Sequence, residues 1–336
     1  MRVDLNVALA PRTTLGIGGE AARFAKIESV RDIRDALAGG GNILVLGGGS
    51  NLVVRDGGFD GLVVQMAIPG ISVDDTRVSV SAGVVWDDFV GQMVDAKLHG
   101  IECMSGIPGL VGATPMQNVG AYGQEVSDTI TAVRVFDRES GRVETMTPAQ
   151  CGFAYRTSNF KGSERWIILD IELQLSRHPK PIRYPELAAA LGVGAGGMAP
   201  ISAVRKTVLA LRRKKGMVVD PDDPDSRSAG SFFTNPIVDA DTLAQLEARL
   251  PGVTFPRWPA GDKTKLSAGW LIERAGFSKG DTRGKVGISS KHALALVNLG
   301  GATATELLAL AREIQDGVRD RLGIELHPEP VIVGHD

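Results

Sequence analysis

Cysteine is scarce in this chain: Cys103 and Cys151 are the two present in 336 residues. They lie far apart and match no metal-binding or redox spacing. Buried free thiols in a reducing cytosol are the expected reading, which points to a cytoplasmic protein. Histidine is nearly as sparse. His99, His178, His292, His327 and His335 include no pair at the spacing of a metal-binding helix, so no metal site is expected. Excess charge is missing too. A net charge of -2 gives no support to a nucleic-acid or anionic-membrane partner. The N-terminus, M-R-V-D-L-N-V, has an early acid and no apolar run, so no signal peptide is expected. One stretch lacks charge entirely, from Cys103 to Gln124. It is long enough to span a bilayer, but Gly106, Pro108, Gly109, Gly112, Pro115, Gly120 and Gly123 would break a helix repeatedly. It reads as a loop-rich interior segment.

What remains is an ordinary globular composition, 43% hydrophobic and 23% charged, in a chain long enough for two or three domains. Ser29 to Gly39 reads as a short helix capped by Ser29, with Val30, Ile33 and Leu37 on one face. Asn42 to Leu46, Leu52 to Val54, Leu62 to Gln65, Val78 to Ser81, Ala132 to Asp137 and Trp166 to Leu175 read as strands. Trp86, Phe89, Val90, Met93 and Val94 mark an amphipathic helix. The polar stretch Ser176 to Pro185 is a possible boundary. Beyond it, Ile201, Val204, Val208 and Leu211 predict a helix ending in the basic run Arg212 to Lys215. Leu243 to Leu250 and Ala268 to Ala275 predict two more. Thr303 and Glu306 form a capping-box pattern ahead of a helix closed by Gly323, and Val331 to Val333 predicts a last strand. Strands and helices alternate irregularly, which favours an α+β fold over a regular parallel sheet.

Glycine is abundant, with 42 residues. Gly16-Ile17-Gly18-Gly19-Glu20-Ala21 fits the letters of a dinucleotide-binding turn. The turn needs a strand before it and a helix after it, and neither is present. Gly47-Gly48-Gly49-Ser50-Asn51 does follow a strand. Its backbone N–H groups can form an anion-binding nest, with Ser50 and Asn51 as further donors; the alternative is a plain hairpin turn. The uncharged loop from Gly106-Ile107-Pro108-Gly109 to Gly120-Ala121-Tyr122-Gly123 repeats the theme, with Thr114, Gln117 and Asn118 as neutral donors. Such a lining suits a pyrophosphate and a flat ring system. Two cradles of this kind predict one extended ligand of dinucleotide size.

The run Ser228 to Pro236, S-A-G-S-F-F-T-N-P, offers Ser231 and Asn235 as ligand-facing groups. On an extended segment two adjacent Phe point opposite ways, so one of Phe232 and Phe233 is expected in the core and the other elsewhere. The alternative is a Gly-Ser turn leading into a buried strand. Asp262-Lys263-Thr264 lacks the glycines of a phosphate-binding loop and is rejected. The basic run Arg212 to Lys215 is either a solvated helix end favoured by the helix dipole or a holder of ligand phosphates.

Taken together, the segments Arg12 to Gly19 (R-T-T-L-G-I-G-G), Leu46 to Asn51 (L-G-G-G-S-N), Ser105 to Gly109 (S-G-I-P-G), Gln117 to Gly123 (Q-N-V-G-A-Y-G), Tyr155 to Phe160 (Y-R-T-S-N-F), Ala229 to Pro236, Ala268 to Glu273 (A-G-W-L-I-E) and His327 to Pro330 (H-P-E-P) resemble the UDP-N-acetylenolpyruvoylglucosamine reductase family over nearly the whole chain. The resemblance implies a vanillyl-alcohol-oxidase/PCMH-type FAD-binding part made of two α+β subdomains, then a C-terminal α+β substrate-binding domain. It implies residues 1–68 with the tail 325–336 as the first subdomain, 69–200 with a tyrosine loop as the second, and 201–324 as the substrate domain. FAD would be held without a covalent bond by Gly47, Gly48, Gly49, Ser50, Asn51, Ser105, Gly106, Pro108, Gly109, Gln117, Asn118, Gly120, Ala121, Tyr122 and Gly123.

The implied reaction passes a hydride from NADPH through FAD to the enolpyruvyl C3 of UDP-N-acetylglucosamine enolpyruvate. Arg156 and Glu329 would stabilise the enolate, and Ser231 would protonate C2. The resemblance further implies Asn235, Tyr155, Lys215 and His292 as substrate contacts, and a closing Tyr184 over the UDP group. Some relatives carry Gln in the segment that reads Lys291-His292-Ala293-Leu294 here. A monomer is implied. A flavin oxidase of the same superfamily would often hold flavin covalently through His or Cys, but His99 and Cys151 lie outside the cradles. A sugar-nucleotide binder without activity would have no need of Arg156, Ser231 and Glu329 together.

Overall fold

Ser29 stands in extended backbone and its hydroxyl accepts the Asp32 N–H, so the first helix begins where the sequence places its cap, at Val30–Ala38. In the computed structural model all 336 residues are described. Ile33 and Ala36 of that helix are buried, with Val30 and Leu37 packed beside them.

The contacts of the chain form two compact units. Unit 1 comprises Met1–Val7, Ala21–Gly49 and Asp60–Lys214; unit 2 comprises Ala8–Glu20, Ser50–Phe59 and Lys215–Asp336. These limits do not coincide with the division at 68 and 200 expected from the sequence, which divides the chain by ligand; the two short N-terminal pieces, 8–20 and 50–59, pack with the C-terminal third.

Unit 1 carries two larger sheets and the two-stranded ribbon of Gly120–Ala121 with Gln124–Glu125. One has four strands in the order Val3–Ala8, Glu20–Ile27, Phe59–Met66, Ile43–Leu46, the last two parallel. The other has five antiparallel strands in the order Arg142–Met146, Ile130–Asp137, Trp166–Gln174, Arg77–Ser81, Ile71–Asp74. The helix Trp86–Asp95 buries Trp86, Phe89, Val90, Met93 and Val94 in the core of this unit, as its sequence periodicity predicts. The helices Pro185–Leu191 and Ile201–Lys214 enclose a smaller cluster with Cys103, Ile182, Leu187 and Val204. Ser176 to Pro185 is not a boundary between the units, since unit 1 runs through it. Both cysteines are buried and free; burial pushes the Cys103 thiol up to about 12 and the Cys151 thiol up to about 11.

Unit 2 is built on an antiparallel sheet in the order Ser228–Ser231, Ala295–Asn298, Val286–Ile288, Thr282–Arg283. The helix Ala304–Leu322 packs on it through Leu307, Leu310, Ile314 and Val318. Thr303 and Glu306 close both bonds of the capping box, and Gly323 ends the helix in the left-handed conformation. A further cap was not foreseen: Asp56, from the short N-terminal piece, accepts the N–H groups of Ala304 (2.7 Å) and Thr305 (2.9 Å). The C-terminal strand Val331–Val333 pairs in parallel with Leu52–Val54.

The segment Arg12 to Gly19 is structural in this unit. Leu15 and Ile17 are buried, and the Thr14 hydroxyl donates to the Ser228 carbonyl at 2.6 Å. A methyl group on Gly19 would lie 2.3 Å from the Asp56 carbonyl oxygen. Its glycine therefore serves backbone packing.

Candidate functional site

The Gly-rich run after the strand Ile43–Leu46 is not a hairpin turn. Ile43–Leu46 and Leu52–Val54 belong to different sheets, and the run crosses the division between the units after Gly49. Gly48 is required by a close approach: a methyl there would lie 2.7 Å from Gly109 Cα. The two Gly-rich segments predicted to bind one ligand thus meet backbone to backbone within unit 1. Gly106, Gly109 and Gly123 take positive φ angles of 73°, 118° and 83°, which side chains rarely adopt. This glycine-lined surface, with neutral donors around it, fits a pyrophosphate-bearing cofactor and leaves room for backbone N–H groups to reach it.

The second cradle is pinned from behind. Asp87, in the first turn of the helix Trp86–Asp95, accepts the Gly106 N–H at 2.6 Å and is paired with Arg205 at 2.6 Å. Burial alone would raise the Asp87 carboxyl, but the Arg205 bond, the Gly106 N–H and the nearby Arg212 charge hold it below the usual range. Trp86 donates its indole N–H to the Met104 carbonyl (3.1 Å). Ser105 is fully buried, its hydroxyl bound to the Glu102 carbonyl at 2.7 Å.

The Asn118 side chain shapes the loop that carries it. It donates to Glu125 (2.9 Å) and to the Ala154 carbonyl (3.2 Å), and accepts from the Ser127 N–H (3.1 Å). Its φ of 45° is left-handed and is supported by these bonds, and Tyr122, at 48°, is left-handed as well.

Arg156 sits on this loop. Its guanidinium donates to the carbonyls of Asn118 (3.3 Å) and Gly120 (2.6 Å), with Glu125 at 3.8 Å, and its own φ is 52°. Tyr155 lies under the guanidinium, 5.2 Å from ring centre to Cζ. Tyr184 packs edge-on against Tyr122, ring centres 5.3 Å apart, so the tyrosine segment lies on the cradle. Burial pushes the Tyr122 phenol up to about 12, and burial raises Tyr184 as well.

The basic helix end divides. Arg213 and Lys214 are exposed, whereas the Arg212 Nε is enclosed, and burial brings its guanidinium down to about 10 against the opposing pull of Tyr122 and Asp87. Arg212 is therefore not a solvated helix end. Lys215 is the first residue of the long third stretch of unit 2.

In unit 2, Ser231 ends its strand opposite Ala295, and Gly230 before it has a φ of 76° with open space where a side chain would be. The Ser231 Oγ lies 3.3 Å from His292 Nε2. Glu329 follows the tail back to this strand, its N–H on the Phe232 carbonyl at 2.8 Å. Phe232 and Phe233 are both buried, at 0% and 1% exposure, in edge contact with each other. The strand stops at Ser231, so extended alternation does not govern the two rings. Asn235 turns its side-chain oxygen to the Ala268 N–H (2.9 Å), beside the Ser267 cap of the helix Ala268–Arg274.

Arg156 thus belongs to unit 1, and Ser231, Glu329, Asn235 and His292 to unit 2. Sequence reasoning missed Asp87 and Arg205; the signal was an acid in the first turn of a helix just ahead of a Gly-rich loop.

Comparison with known proteins agrees with this division of labour. Residues 21–147 match the family model of an FAD binding domain, and residues 222–333 that of the UDP-N-acetylenolpyruvoylglucosamine reductase C-terminal domain. A UDP-N-acetylenolpyruvoylglucosamine reductase of Thermobifida fusca is 55% identical over 98% of this chain and 97% of its own. One of Mycobacterium marinum is 47% identical over 99% and 96%. Among solved structures, the UDP-N-acetylenolpyruvylglucosamine reductase (MurB) of Thermus caldophilus superposes with a TM-score of 0.71 at 29% identity, covering 99% of both chains. With similarity of this degree along its whole length, the chain belongs to the UDP-N-acetylenolpyruvoylglucosamine reductase family.

Proposed function

We propose that this FAD-dependent oxidoreductase uses NADPH to reduce UDP-N-acetylglucosamine enolpyruvate to UDP-N-acetylmuramate, a step in peptidoglycan precursor synthesis. The observation that carries the reading is Ser231: a hydroxyl presented after a glycine, against an imidazole, in the part of the chain that matches the reductase-specific domain. FAD is held by the glycine surface of Gly47, Gly48, Gly49, Ser50 and Asn51 and by the loop of Ser105, Gly106, Pro108, Gly109, Gln117, Asn118, Gly120, Ala121, Tyr122 and Gly123. Bound FAD supplies hydride transfer between NADPH and the enolpyruvyl C3.

The chain's own residues manage charge and protons. Arg156 and Glu329, the latter in its protonated form, stabilise the enolate, where preorganised donors contribute roughly 3 to 4 kcal/mol each. Ser231 gives its proton to C2. Tyr155, Tyr184, Lys215, Asn235 and His292 contact the substrate, with Tyr184 over the UDP group. Residues 1–68 and 325–336 and residues 69–200 act as the two FAD subdomains, and 201–324 as the substrate domain. The protein acts as a monomer in the cytoplasm; no helix is long and apolar enough to cross a membrane.

Anaerobic absorbance titration tests this. The flavin band should bleach with NADPH and return with the enolpyruvyl sugar. In Ser231→Ala it should still bleach, and recolour ~10² to 10⁴ times more slowly. No flavin band after adding FAD, or no recolouring of the unaltered protein, would overturn the reading.

A further inference from the structure

A serine hydroxyl is a poor acid, so giving up its proton requires a neighbour that replaces it. His292 Nε2, 3.3 Å from Ser231 Oγ, stands where such a neighbour must be. The imidazole is brought there by the fold. Residues 289–292 turn between Val286–Ile288 and Ala295–Asn298, and Ala295 is the register partner of Ser231. The two strands are locked at this point, with the Phe232 N–H on the Leu294 carbonyl at 2.7 Å.

The turn itself is clamped on every side. The His292 N–H donates to Ser289 Oγ (3.2 Å), and its carbonyl accepts the Ala295 N–H (3.1 Å). One residue earlier, Lys291 Nζ holds Asp223 at 2.7 Å. Two residues earlier, Ser290 gives both its N–H (2.8 Å) and its hydroxyl (2.7 Å) to Asp225. The bonds of Ser290 and Lys291 to the preceding loop fix the backbone of the turn that carries His292.

We propose that His292, beyond contacting the substrate, recharges Ser231 with a proton during reduction. This rests on the reading of Ser231 as the donor to C2. The imidazolium Nε2–H bond breaks as the proton moves to Ser231 Oγ. The Ser231 O–H bond breaks as its proton forms the new C–H bond at C2. The positive charge of the ring and the negative charge of the enolate cancel, and no oxidant or reductant is consumed. Solvent later reprotonates the neutral ring. The titratable and charged groups about the turn and Ser231 are Lys291 on the turn itself, Asp223 and Asp225 on the preceding loop, and Glu329 on the C-terminal tail, whose backbone N–H meets the Phe232 carbonyl. Lys291 and the two aspartates are already bonded to one another or to Ser290, whereas the His292 ring nitrogen is the group within hydrogen-bond distance of the Ser231 hydroxyl.

The test is stopped-flow reoxidation of NADPH-reduced flavin by the enolpyruvyl sugar, from about pH 5 to 9. The unaltered protein should slow as pH rises through one ionisation. His292→Gln keeps a hydrogen-bond donor but cannot exchange a proton. It should be at least about tenfold slower at low pH, with a flat profile that meets the other curve at high pH. NMR titration of the His292 ring in the unaltered protein and in Ser231→Ala gives a reading independent of turnover: its midpoint should move when the hydroxyl is removed. His292→Gln with an unchanged pH profile, or a ring whose titration ignores Ser231→Ala, overturns the relay. If Ser231→Ala reoxidises at the normal rate, the reading of Ser231 as donor fails instead.

Discussion

Gly48 and Gly109 face each other so closely that one added methyl on Gly48 would sit 2.7 Å from the Gly109 α-carbon, with no flexible side chain to give way. Gly48→Ala must separate the two cradles. Overpacking of this kind costs about 1 to 3 kcal/mol. Because the displaced backbone is the proposed cofactor surface, flavin retention should suffer more than fold. Purified Gly48→Ala should lose over ~10-fold in FAD affinity by fluorescence titration, a change of about 1.4 kcal/mol. Full flavin occupancy at unchanged affinity would remove the cradle from the site.

Arg156 spends part of its guanidinium on the Asn118 and Gly120 carbonyls. A lysine keeps the charge but has no planar fork to span both. Arg156→Lys should keep its flavin and its reduction by NADPH, yet reoxidise with the sugar ~10² to 10³ times more slowly. Near-normal reoxidation would show that charge alone suffices at this position.

Asp87 couples acidity to the shape of the cofactor loop. Burial raises its pKa, but Arg205, the Gly106 N–H and Arg212 outweigh that and leave it depressed. A depressed carboxyl contributes stability that is fully present above its unfolded value of ~3.9 and lost as pH falls through the folded value. Asp87→Asn should lower Tm at pH 7 by about 2 to 4 °C, for a loss of about 1 kcal/mol. Below about pH 4 the gap should close. A gap that stays constant down to pH 3 would mean the pair contributes nothing through its charge.

Tyr184 reaches Tyr122 edge-on, and such pairs contribute about 0.5 to 1.5 kcal/mol. Tyr184→Ala should therefore raise KM for the UDP-sugar by up to ~10-fold with FAD content unaltered. An unchanged KM would take Tyr184 out of substrate closure.

Local signals were legible in the sequence. The Ser29 cap, the Thr303–Glu306 box and the Gly323 stop all rest on bonds spanning a few residues, and each stands where its spacing predicts. The Phe pair was misjudged for a local reason as well: alternation holds along a strand, and the strand ends one residue before Phe232. The run Arg212 to Lys215 reads equally as a solvated helix end or a holder of phosphates because sequence cannot show which face of a helix end is covered. The part Asn118 plays in shaping its loop is not legible in the sequence because its partners, Glu125, Ser127 and Ala154, become neighbours only when the chain folds. Ser231 and His292 are 61 residues apart, so only the register of Ser231 with Ala295 reveals them as a pair.

The strand Val331–Val333 closes against Leu52–Val54, and Glu329 rides just ahead of it. The pairing joins segments far apart along the chain, and the loop-closure entropy of so long a span makes such a contact a late event in folding. An intermediate with this strand still undocked would already hold Ser231 on its own sheet and leave Glu329 out of place, so docking of the strand is the step that completes the proposed site.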